Sequence, residues 1–135
     1  MLTVKAILKQ SNINNIGLFA DEDISKGTIV WKFHPKFDIY FTKEEVKQMT
    51  DEQQTLISHY AYLSDKSGKY VYSIDDSRFT NHSSVSNNLD IISIQGELET
   101  AGVANRDIKN GEEILVNYRN FDAGDRDSKE EYLNN

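Results

Sequence analysis

The sequence predicts a small, mainly β domain of short twisted sheets, interrupted by one helical insert near residues 42–65 and closed by a short C-terminal helix. Three observations carry this. Apolar runs rich in β-branched and aromatic residues recur as about seven to nine short segments, each bounded by Asn, Ser, Asp and Gly clusters. Strand and helix patterns do not alternate, which disfavours a doubly wound parallel sheet. Two helix-start signals, at Thr42 and Thr50, open the one stretch with helical spacing. A chain of 135 residues favours a single domain with a modest core.

Taken in order, Val4–Leu8 alternates as a strand does, and the Ser and Asn residues of 11–15 form a turn that runs into Ile16–Ala20. Gly27 closes a polar connection before Thr28–Phe33, and Phe37–Phe41 resumes extended character after His34-Pro35. Thr42 with Glu45 three residues on has the spacing of a capping box, and Leu56, Ile57, Tyr60, Ala61 and Leu63 fall near helical spacing. Tyr70–Ile74 and Leu89–Ile94 read as strands, with Leu98–Ala104 as hairpin partner of the second. Asp107-Ile-Lys-Asn-Gly111 repeats the pattern of Asp23-Ile-Ser-Lys-Gly27, so both predict the same turn ahead of a strand. Glu112–Tyr118 is the last strand-like run. The acidic tail from Asp122 carries Asp127-Ser128 as a cap for a short helix through Leu133.

Composition removes several function classes. The chain has no cysteine, which excludes disulfides, thiolate metal sites and a Cys nucleophile, and which suits a reducing compartment; we expect a cytoplasmic protein, with nuclear or host-directed locations left open. His34, His59 and His82 are not spaced as a ligand pair on one helix, so no metal is expected. A net charge of −7 argues against nucleic-acid binding through a basic face and favours a basic protein or peptide partner. No apolar run approaches a membrane span, and neither a phosphate-binding loop nor a GxSxG elbow is present.

The stretch Arg78-Phe-Thr-Asn-His-Ser-Ser-Val-Ser-Asn87 stands apart. It places Asn, His and four hydroxyl residues between two apolar runs, with no Gly or Pro to make an ordinary turn. A polar loop that bonds its own backbone is the plain reading, yet so many polar groups beside a sheet require partners. Tyr118, ending an apolar run, fits either core or pocket wall.

Together and in order, three segments resemble the SET domain of protein lysine methyltransferases. Asn15-Ile-Gly-Leu-Phe-Ala20 is similar to the family's Gly-x-Gly-x-Phe-Ala. Arg78-Phe-Thr-Asn-His-Ser83 is similar to its Arg-Phe-Ile-Asn-His-Ser, with Asn87 where the trailing Pro-Asn ends. Arg106-Asp-Ile-Lys-Asn-Gly-Glu-Glu-Ile-Leu-Val-Asn-Tyr118 is similar to Arg-Asp-Ile-x-x-Gly-Glu-Glu-Leu-Thr-x-x-Tyr. The resemblance covers roughly residues 4–121. It implies a β-clip fold with a C-terminal pseudoknot, a SET domain over 1–121 and an acidic tail over 122–135 that completes the site.

It also implies S-adenosylmethionine as cofactor, held by backbone at Ile16, Gly17 and Leu18, by Asn81, and by the backbone of His82. Phe121 or Tyr132 would cover the adenine. Tyr118 would be the catalytic tyrosine, Tyr70, Tyr72 and Phe79 the lysine channel, and the helical insert one wall of a peptide groove. The reaction would be methyl transfer to a lysine of a basic protein, with a homodimer as one allowed assembly; a SET-like module that binds without transfer is the alternative. Asn15 departs from the family's first Gly but tolerates left-handed backbone angles. Val116 stands where a Phe or Tyr is common, and the family's Cys-rich flanking modules are missing.

Overall fold

The computed structural model describes residues 1–126 and 131–134; Asp127 and Ser128, expected to cap the last helix, lie outside the described residues. Among the described residues ten short strands form three sheets. Strands β1 (Ala6–Gln10) and β2 (Ile16–Ala20) make a hairpin in the register Ala6↔Ala20 to Gln10↔Ile16. Asn15 at its turn has φ 34°, the left-handed conformation that Asn accepts at low cost.

Strands β4 (Asp38–Phe41), β5 (Tyr62–Leu63) and β6 (Tyr70–Ser73) form a second sheet with β6 central. Between β4 and β5 lies the helical insert, α1 (Lys43–Lys47) and α2 (Asp51–Tyr60). Both helices carry a complete capping box, Thr42 with Glu45 and Thr50 with Gln53, so two orphan N–H groups are satisfied at each start. The insert is shorter than its spacing suggests. Helix α2 stops at Tyr60 and buries only Ile57, because Tyr62 and Leu63 pair with Val71 and Tyr70 instead.

The third sheet has the order β3-β9-β8-β10-β7, with β3 Ile29–Trp31, β7 Asn81–His82, β8 Leu89–Ser93, β9 Thr100–Ala104 and β10 Leu115–Val116. The hairpin β8–β9 is antiparallel, whereas β10 runs parallel to both of its neighbours. Strand β10 therefore lies between β7 and β8, which are joined by residues 83–88, and the late chain passes under that connection. This is the pseudoknot. The strand is only two residues long; Tyr118–Asn120 turns into a 3₁₀ helix where continued strand was expected.

The passage is held by one side chain. Asn88 is fully buried (0% exposed); its Nδ2 donates to the Glu113 carbonyl at 2.8 Å and its Oδ1 accepts from the Leu115 amide at 2.9 Å. Ser83 and Asn88 amides add bonds to the carbonyls of Val116 and Leu115. Asn87, the motif position, instead bonds the nearby Leu89 carbonyl.

Around this lies the core of Leu18, Ala20, Ile24, Val30, Leu89, Ala104, Ile108, Ile114 and Val116, each large side chain stabilising by about 1.5–3 kcal/mol on burial. The two similar turns pair with each other. Ile24 and Ile108 exchange both backbone hydrogen bonds at 2.8 Å. Asp107 accepts from the Lys26 amide and Asp23 from the Asn110 amide, and Gly27 and Gly111 have φ 86° and 91°, which glycine adopts without strain. Among the described residues no helix is long and apolar enough to cross a membrane.

Replacing Asn88 by Ala leaves the Glu113 carbonyl and Leu115 amide buried without partners. We expect a loss of about 2–4 kcal/mol in urea unfolding, against less than about 1 kcal/mol for Asn87→Ala.

Candidate functional site

The threaded strand brings the three motif segments to one place. Asn81, 6% exposed on β7, donates through Nδ2 to the Ile16 carbonyl at 3.1 Å and to Glu113 Oε1 at 2.9 Å, with the Asn14 carbonyl at 3.5 Å. Glu113 Oε2 accepts from the Ser11 hydroxyl at 3.0 Å. A Cβ on Gly17 would stand 2.1 Å from Glu113 Oε1, so only glycine lets this carboxylate reach across β2. With its nitrogen committed to three acceptors, Asn81 presents Oδ1, an acceptor, to any ligand. Glu113 is the residue that the sequence reading passed over; its signal was the second Glu of the Gly-Glu-Glu run.

His82, expected to act through its backbone, also works through its ring. Its Nδ1 accepts from the Tyr118 amide at 3.1 Å, so Nε2 carries the hydrogen and donates to the Leu133 carbonyl at 3.1 Å. Burial holds the imidazole below its ordinary pKa, which keeps it neutral and preserves this tautomer. Leu133 is itself buried, so His82 ties the tail to the loop that carries Tyr118. The Tyr118 hydroxyl donates to the Thr80 carbonyl at 2.6 Å, and its ring lies 5.1 Å from that of His82 and 6.1 Å from that of Phe121.

On the other side of Tyr118 is a cavity of about 630 Å³. Trp31, Tyr60, Tyr62, Tyr70, Tyr118 and Phe121 supply its aromatic walls. Of the three residues expected in a lysine channel, Tyr70 lines the cavity; Tyr72 and Phe79 do not. Tyr72 pairs with Ile39 on the outer face of β4–β6, Ile39 being 43% exposed. Phe79 stands behind the wall, its ring 5.6 Å from Tyr60 and 5.0 Å from the Arg78 guanidinium. Phe121 faces the cavity and packs edge-on against Tyr62 at 4.9 Å. The side chain of Tyr132, the other residue considered for the adenine, lies outside the described positions. Tyr60 and Tyr62, two of the wall residues, fall where the sequence predicts helical spacing, and β5 takes Tyr62 and Leu63 out of the insert.

Acidic groups surround this cavity. Glu99, 1% exposed, accepts from the hydroxyls of Tyr40 and Ser64, both at 2.6 Å. Burial and this carboxylate push the Tyr40 phenol well up. Burial, then the charge of Glu99, does the same to Tyr62. Asp122 lines the cavity and accepts from the Gly124 amide at 2.8 Å and the Leu63 amide at 3.3 Å. Burial, with Asp125 adding to it, raises its carboxyl to about 6 despite these bonds.

Residues 15–119 match the SET domain family, and the chain belongs to that family. Two structures of Chaetomium thermophilum Polycomb Repressive Complex 2 are similar in fold. A humanized mutant bound to the inhibitor GSK126 shows 26% identity and a TM-score of 0.62, over 87% of this chain and 15% of that one. The apo complex with two substitutions in Ezh2 shows 27% identity and a TM-score of 0.63, over 89% of this chain and 16% of that one. A Plasmodium falciparum protein proposed to be a histone methyltransferase shares the fold at 19% identity and a TM-score of 0.56, over 84% of this chain and 92% of that one. This chain therefore spans about a sixth of the length of the Polycomb chains it matches. No curated protein matches it. The cytoplasmic expectation is corrected here: these relatives belong to a nuclear complex acting on chromatin.

The raised Asp122 carboxyl has a stability consequence. The folded state holds this proton more tightly than the unfolded chain, so the contribution to stability falls as pH rises from about 4 to 6. The full shift corresponds to about 3 kcal/mol, and partial exposure reduces this to about 1. Asp122→Asn should raise urea stability by about 1 kcal/mol at pH 7.5, with a smaller gain at pH 4.

Proposed function

We propose that this SET domain is a protein-lysine N-methyltransferase that uses S-adenosylmethionine and acts on a basic, flexible protein segment. One observation carries the reading: Tyr118 sits between a glycine-floored polar cradle and an aromatic cavity, and β10 with its flanks builds both. The cradle fits the cofactor's amino-acid end. Gly17 has no room for a side chain, and Asn81 offers a carbonyl oxygen where an α-ammonium needs an acceptor.

S-adenosylmethionine, when bound, supplies an electrophilic methyl group on a sulfonium. The chain's part is to align a neutral lysine nitrogen with it and to exclude water. The Thr80 carbonyl accepts the Tyr118 hydroxyl's hydrogen bond, which leaves the tyrosine oxygen's lone pairs to accept from the amine N–H and aim its lone pair. Aromatic walls favour the aliphatic stem and disfavour the ammonium by desolvation, so no strong base is obligatory. The net charge of −7 draws a basic segment towards the domain. The nearby Polycomb structures, one of them bound to S-adenosylmethionine, support the cofactor choice.

Calorimetric titration with S-adenosylmethionine should give one-site binding; absence of heat overturns the reading. Incubation with methyl-labelled cofactor and a mixture of basic proteins should label lysine, and Tyr118→Phe should reduce the rate by about 10²-fold or more. Binding without transfer would identify a non-catalytic module instead.

A further inference from the structure

Resting on that reading, we propose that Glu113 is the positioning residue that, acting through Asn81, makes the cradle selective for a ligand bearing an α-ammonium group.

The side-chain amide of Asn81 can be seated with its oxygen or its nitrogen outward, and the two orientations read opposite ligands. Its surroundings decide between them. Nδ2 meets only acceptors: Glu113 Oε1 at 2.9 Å, the Ile16 carbonyl at 3.1 Å and the Asn14 carbonyl at 3.5 Å. An amide oxygen turned to that side would face only other oxygens, so Oδ1 is held on the opposite side. Among the described residues none donates to Oδ1, which is left for a ligand.

Glu113 is itself held from behind. Its Oε2 accepts from the Ser11 hydroxyl at 3.0 Å, and the Ser11 oxygen accepts from the Ile13 amide at 2.9 Å. The carboxylate thereby joins the β1–β2 turn to β7. It reaches Asn81 across Gly17, where a Cβ would stand 2.1 Å from Oε1.

The charge is not cancelled locally. Among the described residues no cation forms an ion pair with Glu113. Lys9, the register partner of Gly17, holds its ammonium over the Phe19 ring instead. A carboxylate one amide behind Oδ1 polarises that amide and strengthens the bond that Oδ1 accepts from a cation. A ligand without the cation gains nothing from it. The contact with the ligand belongs to Asn81; its orientation and polarity belong to Glu113.

Glu113→Gln removes the charge and retains the packing, because Gln Oε1 still accepts from Asn81 while its amide nitrogen donates to Ser11. The probes are S-adenosylhomocysteine and its deaminated analogue, which carries hydrogen in place of the amino group. Each is titrated calorimetrically into the full chain. The readout is the ratio of the two affinities, which a general weakening of the fold or of the cradle does not move.

We expect the wild type to prefer S-adenosylhomocysteine by at least about tenfold and Glu113→Gln by less than about threefold. Affinity for the deaminated analogue should agree within about twofold between the two proteins. A wild-type ratio near one, an unchanged ratio in the variant, or an equal loss for both ligands overturns the proposal. If Glu113→Gln does not fold, Gly17→Ala decides: its Cβ displaces the carboxylate and should lower the ratio in the same way, and an unchanged ratio there overturns the proposal. Failure of both ligands to bind the wild type refutes the cofactor reading and this role with it. Binding of both without the ratio effect refutes the role of Glu113 alone.

Discussion

The passage of β10 between β7 and β8 hangs on the buried amide of Asn88, which closes two backbone bonds on Glu113 and Leu115. A side chain does what a neighbouring strand would do for a longer segment. Two-residue strands contribute few ladder bonds of their own, so the amide's donor and acceptor fix register where hydrophobic pattern is too short to specify it. The same stretch delivers Glu113 to Asn81 on one side and Tyr118 to Thr80 on the other. Cradle and cavity are thus two faces of one threaded segment, and neither exists without the crossing.

Buried charge is handled differently at each carboxylate. Glu99 is satisfied by two hydroxyls and joins β4 to the end of β5. Glu113 is satisfied by an amide and a hydroxyl at a position that glycine alone keeps open. Asp122 keeps backbone donors but pays for its place with a raised pKa. The first two hold the architecture together. The third faces the cavity with part of its electrostatic cost unrelieved, as groups at binding sites commonly do.

Sequence alone made the capping box at Thr42, the second helix start at Thr50, the left-handed Asn15 and the meeting of Gly17, Asn81 and Tyr118 legible, because local propensity or an ordered motif carries each. It did not reveal β5 and β7, since two residues show no periodicity. Asn88 and Glu113 were missed because their partners lie far along the chain; a buried polar side chain is recognisable only by what it meets. Tyr70 and Tyr72 share a strand face, yet only Tyr70 lines the cavity: its register partner is Leu63 on β5 as well as Phe41, whereas Tyr72 lies opposite the half-exposed Ile39 at the far end of the strand.

The twin turns at Asp23–Gly27 and Asp107–Gly111 have a consequence for how the chain acquires its shape during synthesis. Each aspartate holds an amide of the other turn, the Asn110–Asp23 bond spanning 87 positions. The first turn therefore lacks these partners for Ile24 and Lys26 until residues 107–110 have left the ribosome. Most of the stabilising contacts arrive together and late. A growing chain of this kind presents its early strands, including the β1–β2 edge with Leu8 and Ile16 exposed, to other molecules until that later segment emerges.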